Sequence, residues 1–281
     1  MFQLKKTFFI VFLTLYSFLS VECSYAQEKN YRVGIVPQFA PRELSNIWLP
    51  LLQEISKRTG YTFEMYGAAS IPKFEENFQN GIYDFAYMNP YHALVAYRTQ
   101  GYTPILKDSA RKLNGVLVVR KDSPYQSPTD LRGKKIAFPA PNALGASLLM
   151  RADLLNKFQL YYEPIYVQNH SSSYLNVILG EAQAAGGVMS SLNKQKPQIR
   201  DNLRIIYQTQ SISPHPIVFH PRVPIHVVNA FKATAFELFN EEKWQDQFKK
   251  IPIEQLSTAN IDDYTILNTW NLDRFYIKPE Q

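Results

Sequence analysis

From Tyr31 to Arg120 the chain alternates between two hydrophobic periods, and this alternation is the strongest constraint on its fold. Tyr31-Arg32-Val33-Gly34-Ile35-Val36 reads as a strand. From Leu44 the apolar residues Leu44, Ile47, Trp48, Leu51, Leu52 and Ile55 recur on one helical face until Gly60 ends the run. Pro50 falls inside that helix and implies a kink or a late start. Tyr61 to Tyr66 alternates as a strand, Ser70 caps a helix closed at Asn80-Gly81, and Tyr83 to Met88 is a third strand. Asn89-Pro90 is an N-cap followed by proline at the first helical position, with a helix to about Thr99. Strands at Thr103–Leu106 and Gly115–Arg120 complete the series. Short alternating units of this kind predict an α/β fold, with mainly parallel sheets and helices on both faces.

A second series follows a loop at 122–128 and a single turn at Asp130-Leu131-Arg132-Gly133. It comprises strand 134–138, helix 143–158, strand 163–167, helix 171–180, strand 183–189 and strand 203–208. After the loop-like Ser211 to Pro216 come a short strand, Ile217-Val218-Phe219, and helices at 225–239, 241–249 and, more weakly, 262–267. Two α/β series with a late return strand predict two lobes. The first is formed by residues 27–115 and 216–281, the second by 116–215. Crossovers near 107–120 and 208–219 form the hinge, and the cleft between lobes is the expected ligand site.

In open α/β sheets ligands bind beyond the carboxyl ends of the strands. Three strand-to-helix junctions there are polar or small: Asn89-Pro90-Tyr91-His92, Asn142-Ala143-Leu144-Gly145-Ala146-Ser147 and His170-Ser171-Ser172-Ser173. At the second, Asn142 is placed to N-cap the helix. The first amides, from Ala143 to Ala146, have no partner inside that helix and small neighbours that let a ligand approach the backbone. An anion there meets free N–H groups and the positive end of the helix dipole. The third junction adds an imidazole and the hydroxyls of Ser171 and Ser172. Ser70 and Arg42 are candidate donors from the first lobe, and Tyr87 and Tyr91 candidate walls with a hydroxyl. Each junction alone is also an ordinary helix cap; their convergence is what points to an oxyanion pocket.

The N-terminus sets the compartment. Lys5-Lys6, the apolar run Thr7 to Leu19 and the small-x-small Ser24-Tyr25-Ala26 form a cleavable signal peptide, residues 1–26, and place the protein in the periplasm. A lipid anchor at Cys23 is disfavoured by the charged Glu22 beside it. Cleavage before Gln27 leaves 255 residues without cysteine, so no disulfide or thiolate metal site is expected. The exported chain carries 28 basic and 23 acidic side chains, a mild excess without a Lys/Arg run, so no nucleic acid is expected as a partner.

Catalytic signatures are missing. HExxH, GxSxG and GxxxxGK[ST] do not occur, and no local pattern ties Ser, His and Asp into a triad. His215, His220 and His226 are spaced too irregularly for a metal site. No enzymatic activity, cofactor or metal is expected.

Several motifs in order resemble a known family. They are Tyr31 to Pro37, Trp48-Leu49-Pro50-Leu51-Leu52, Tyr83-Asp84-Phe85-Ala86-Tyr87-Met88-Asn89-Pro90, Val118 to Pro124, Asp130-Leu131-Arg132-Gly133-Lys134-Lys135-Ile136-Ala137-Phe138, the small-residue stretch after it, His170, Gly180-Glu181-Ala182 and Pro214-His215-Pro216-Ile217-Val218. The sequence resembles the phosphate/phosphite/phosphonate-binding proteins of ABC importers over nearly all of its exported length. The resemblance implies a two-lobed periplasmic-binding-protein type II fold that closes on a small anion. It implies a partner at the membrane, an ABC permease or alternatively a sensor histidine kinase, and a monomer is expected. His170 matches the family's ligand-contacting histidine. Where the family carries a serine/threonine loop, this chain has Ala143, Leu144 and Gly145, leaving backbone amides and Ser147. Where aminophosphonate binders carry carboxylates it has Ser190-Ser191 and His215. An ammonium would lack a partner there, which disfavours aminoalkylphosphonates.

Overall fold

Strand β1 (Asn30–Ile35) opens the described part of the computed structural model, which covers residues 30–278. The expected signal peptide lies outside those residues. Helix α1 (Pro41–Thr59) buries Leu44, Ile47, Trp48, Leu51, Leu52 and Ile55, the apolar face expected of it, and ends on Gly60 at φ 73°. It starts before Leu44, so Pro50 does not delay it. Pro50 has no N–H to give the fourth carbonyl back, that of Asn46. The side chain of Gln247, on helix α9 (Glu242–Lys250), donates instead to Asn46 O at 3.1 Å and to Ile47 O. A buried amide from a distant element thus satisfies backbone that proline leaves exposed.

The remaining first-lobe elements are β2 (Thr62–Tyr66), α2 (Ile71–Gln79), β3 (Phe85–Tyr87), α3 (Pro90–Gln100), β4 (Thr103–Asp108), β10 (Ile217–Phe219), α8 (Ile225–Asn240) and β11 (Leu256–Thr258). Their six-stranded sheet has the order β11-β4-β10-β3-β1-β2. The second lobe has β5 (Gly115–Arg120), β6 (Lys135–Phe138), α4 (Leu149–Asn156), β7 (Glu163–Tyr166), α5 (His170–Ile178), β8 (Ala184–Val188), the short helices α6 (Met189–Asn193) and α7 (Pro197–Arg200), and β9 (Leu203–Gln208). Its five strands run β7-β6-β8-β5-β9. Pairing is parallel within the α/β units, as in β1 with β2 and β3, and β6 with β7 and β8. It is antiparallel where β5 and β10 enter from the crossovers. No helix forms at 262–267; tight 3₁₀ turns occupy Ile261–Asp263 and Thr265–Trp270. Strand β11, which pairs with β4, has no sequence signal beyond three residues.

The two-residue period of β5 divides the second lobe's interior. Val116 and Val118 face a core with Tyr174 and Val177, whereas Leu117 and Val119 face one with Phe138 and Met150. The first lobe's core does not stop at its own border. Ala143, Leu144, Ala146, Leu148 and Leu149 of the second lobe belong to the same apolar cluster as Tyr87, Met88 and Tyr91. The lobes therefore meet over a dry seam.

The expected helix 143–158 is replaced at its start by a π-turn, Leu144–Leu148, which runs into α4. Asn142 does not cap it. Ala143 is the cap residue, without a side-chain bond, and its carbonyl accepts from both Ser147 N–H at 2.7 Å and Leu148 N–H at 3.1 Å. The asparagine is withdrawn because its amide is spent elsewhere, as described below. Two glycines allow the widened turn to lie against the sheet. A Cβ on Gly115 would sit 2.0 Å from Gly145 O, and one on Gly186 2.0 Å from Ala146 O. In both cases the obstruction is backbone and cannot swing aside. Gly186→Ala should therefore destabilise the protein by about 3 kcal/mol or more, the upper end for overpacking. Its urea midpoint, compared with that of the exposed control Gly67→Ala, checks this; Gly67 has open space around it.

Candidate functional site

The carboxyl ends of β1, β6 and β8 and the heads of three helices enclose a small cavity between the lobes. Its volume is about 10 Å³. Val36 and Gln38 reach it from the loop after β1, Ile71 from the head of α2 and Asn89 from the head of α3. Ala143 to Ala146 contribute the π-turn, His170 the head of α5, Val188 the end of β8, and Leu113 and His215 the crossovers. No charged side chain is among these residues.

Its chemistry starts with the backbone. Hydrogen bonding within the π-turn begins at the Ser147 N–H. The amides of Leu144, Gly145 and Ala146 have no acceptor among the described residues, and all three residues line the cavity. They carry the positive end of the helical run continued by α4. The heads of α3 and α5 add their own dipoles from either side.

Two imidazoles complete the lining. His170, 2 % exposed, places Nδ1 3.1 Å from Ser191 Oγ. That hydroxyl also contacts Tyr174 OH at 2.8 Å, Val188 N–H at 3.4 Å and Val188 O at 2.9 Å. Ser191 O–H donates to Val188 O, and Tyr174 O–H reaches the same carbonyl at 3.3 Å. Tyr174 and Ser191 thus act as positioning residues that hold the His170 ring through Nδ1. On the other side, Gln38 Nε2 lies 2.8 Å from His215 Nε2, which leaves the His215 proton on Nδ1. The His215 ring lies on Tyr87, with centroids 5.3 Å apart at 26°.

Burial pushes the His170 imidazole down to about 4. Burial, followed by repulsion from His92 and His170, pushes His215 down to about 3, although that side chain keeps a little accessible surface. Both are neutral at pH 7, against an ordinary value of about 6.5. The site therefore offers N–H dipoles and no net charge.

Of the residues singled out from sequence, Asn89, Ala143, Leu144, Gly145, His170 and His215 line the cavity. The others do not. Ser70 spends its hydroxyl as N-cap of α2, accepting from Lys73 N–H, and Ile71 stands at the cavity in its place. Tyr87 donates its hydroxyl to Ile251 O at 3.3 Å and supports His215 from behind. Tyr91 donates to Asp273 Oδ1 at 2.5 Å, away from the cavity. Ser171 accepts from Gln195 Nε2 at 3.2 Å. Ser172 gives its backbone N–H to Asn169 Oδ1, because Asn169 is the N-cap of α5 and the helix begins one residue early, at His170. Ser147 Oγ is buried without a hydrogen-bond partner among the described residues and is not part of the lining. Arg42 is exposed.

Sequence reasoning did not single out Gln38 or the buried node around Asn142. Asn142 donates to Glu75 Oε2 at 2.9 Å and to Ile277 O at 2.6 Å, and accepts from Ile277 N–H at 2.9 Å. Its backbone carbonyl accepts from Asn89 Nδ2 at 3.2 Å. Glu75 holds His92 Nε2 at 2.7 Å with its other oxygen. Arg151 Nη2 donates to Phe275 O at 2.6 Å beside it. First-lobe helices, the mouth of the π-turn and the C-terminal segment are pinned at one buried point. For Gln38 a signal existed: it is a polar residue between prolines, directly after a strand's carboxyl end.

Residues 33–264 match the family described as ABC transporter, phosphonate, periplasmic substrate-binding protein. The chain belongs to this family. Its resemblance to solved structures is one of fold. PhnD1 from Prochlorococcus marinus (MIT 9301), in complex with methylphosphonate, superposes with a TM-score of 0.81 at 14% identity, over 89% of this chain and 100% of that one. A binding protein component of an ABC phosphonate transporter from Pseudomonas aeruginosa gives 0.77 at 15% identity, over 88% of each chain. A Xanthomonas citri protein bound to chloride ion gives 0.72 at 15% identity, over 88% of this chain and 98% of that one. A search by sequence among curated proteins returns no match. As a phosphonate-binding component of an ABC transporter, the protein works in the periplasm, on a small ligand, with a membrane permease as partner.

Two measurements follow from the histidines of this binding protein. The unfolded His170 titrates near its ordinary value and the folded one near 4, so the unfolded state takes up the proton first. The stability tied to neutral His170 is fully present above pH 6.5 and is lost as pH falls toward 4, by roughly 3 kcal/mol. Urea midpoints measured across this window should fall, and His170→Asn should flatten the slope. Secondly, the ¹⁵N shifts of the His170 ring should change on Ser191→Ala, which removes the partner of Nδ1, and should stay at the parent values on Ser191→Thr, which restores a hydroxyl.

Proposed function

We propose that the protein captures a small phosphonate-like oxyanion in the inner cavity, between lobes 27–115 with 216–281 and 116–215, and hands it as a monomer to an ABC permease. The observation that carries this reading is the set of three unpaired amides, Leu144 to Ala146, converging with two neutral imidazoles on a space without charged side chains. Such donors suit an anion that arrives dehydrated and leaves again, because no fixed cation holds it. Family membership supports the same ligand class.

A cavity of about 10 Å³ takes a water molecule and nothing as large as a tetrahedral oxyanion. Ligand access therefore requires the lobes to part about the crossovers 107–120 and 208–219. The ligand then stabilises the joined arrangement by bridging the amides and His170 of the second lobe to Gln38 of the first, with His215 on the crossover between them. An aminoalkylphosphonate is excluded on charge. No carboxylate lines the cavity, and the buried carboxylate of Glu75 on α2 is occupied by His92 and Asn142. The family match supports transport, and no observation favours the alternative of a sensor kinase as partner.

Thermal shift and calorimetry with methylphosphonate, phosphite, phosphate and 2-aminoethylphosphonate test the reading. At least one of the first three should raise the melting temperature by several degrees, and the amine-bearing ligand should not. His170→Ala should weaken binding of the active ligand about tenfold or more, the loss of one donor to a charged group. If none of these anions stabilises the protein, the oxyanion assignment fails.

A further inference from the structure

Beside the inner cavity lies a larger pocket of about 340 Å³. It too is built at strand carboxyl ends. Residues 35–41 after β1 and 67–69 after β2 supply the first-lobe side, together with one face of α1, and Gln168 and Asn169 after β7 supply the second. Adjacent residues divide between the two spaces. Val36 and Gln38 line the inner one while Pro37 and Phe39 line the outer; His170 lines the inner one while Asn169 lines the outer. The wall is thus one residue thick and runs along the meeting line of the lobes. The backbone bond across it, His170 N–H to Gln38 O, is long at 3.4 Å. Through this seam a group on an anion held in the inner cavity can reach the outer pocket.

The outer pocket has a definite chemistry. Phe39, Leu44, Leu49, Met65 and Ala68 dominate the lining, and no charged side chain is part of it. Its polar members are Ser45, Gln168 and Asn169, and the Asn169 side chain is already committed to capping α5. Gln168 is held at φ 76°, a left-handed conformation that a residue with a Cβ rarely adopts. This turn sends consecutive residues to opposite sides of the wall, and strain of this kind is concentrated at ligand sites.

We infer that the outer pocket receives the organic substituent of the bound phosphonate, and that the preferred ligand carries an uncharged apolar group larger than methyl. This rests on the oxyanion reading of the inner cavity and names its substrate class. The space is ample: an apolar cavity of about 150 Å³ already holds a benzene ring. Phosphonate oxygens bond to the inner amides and imidazoles, the phosphorus–carbon bond passes through the seam between Gln38 and His170, and the hydrocarbon lies against Phe39 and Leu49. A primary amine on that substituent would be desolvated among apolar groups with no carboxylate to meet it.

Calorimetry on the exported chain with methyl-, butyl-, hexyl- and phenylphosphonate tests this. Affinity should rise about fourfold per buried methylene over the first carbons, and phenylphosphonate should bind more tightly than methylphosphonate. Ala68→Trp, which fills the pocket, should cancel that gain and leave methylphosphonate within about twofold of the parent. Leu49→Asp, at a half-exposed helix position that tolerates the change, is the second variant and should act in the same direction. Equal affinity for methyl- and hexylphosphonate, or a gain with chain length that survives both variants, overturns the inference while leaving the inner site standing. Failure of every phosphonate to bind overturns this inference, and failure of phosphite and phosphate as well overturns the inner-cavity reading with it.

Discussion

The contact on which the site depends is one of backbone against backbone. The carbonyls of Gly145 and Ala146 press onto Gly115 and Gly186, where a single methyl group would intrude to 2.0 Å. Because those strands present no side chains there, the head of α4 sinks into the sheet as a π-turn, and the three amides that any helix start leaves unpaired are carried to the cavity. Small residues in the turn permit the approach, glycines beneath it permit the depth, and the first turn supplies the donors. A serine/threonine loop solves the same problem with hydroxyls. On the proposed reading this chain offers peptide N–H groups instead, which carry no rotamer freedom and need no further ordering when ligand arrives.

Recognition by neutral donors has consequences for function. A cation in the cavity would hold an anion strongly in both open and joined states. On the proposed reading, the amides and His170 of the second lobe act together with Gln38 of the first only when the lobes meet, so binding energy is spent on closure rather than on capture by either lobe alone. Tyr174 and Ser191 hold the His170 ring through Nδ1, and the Gln38 amide on His215 Nε2 places the His215 proton on Nδ1. The Asn142 node ties the mouth of the same turn to Glu75 and Ile277, so the C-terminal segment reports on the position of the second lobe. The apolar seam around Leu144, Tyr87 and Tyr91 makes the joined state favourable without being specific, and the polar contacts choose its geometry.

The sequence made the architecture legible because its elements follow simple periods. The apolar face of α1, the caps at Ser70 and Asn89 and the alternation along β5 correspond to observed burial and capping. The place of the inner cavity was also legible, since strand carboxyl ends and polar helix heads can be found without coordinates. The hydroxyls and rings were not. Ser70, Ser171, Tyr87 and Tyr91 have their polar atoms consumed by local partners, and no spacing rule states whether a side chain at a helix head turns inward or caps its own helix. Asn142 was misread for the same reason. An asparagine before a helix is usually its cap, but here contacts more than 60 residues away in the chain outbid the local one. The π-turn itself depends on glycines in two other strands, a relation that no local pattern expresses.

The central claim is that the backbone amides of the π-turn hold the ligand. It is tested most directly by ¹⁵N–¹H NMR of the exported chain titrated with methylphosphonate, observing Leu144, Gly145 and Ala146. Downfield amide proton shifts at these three residues, saturating with the calorimetric binding curve, are expected. Saturable binding that leaves all three amides unmoved would contradict the account.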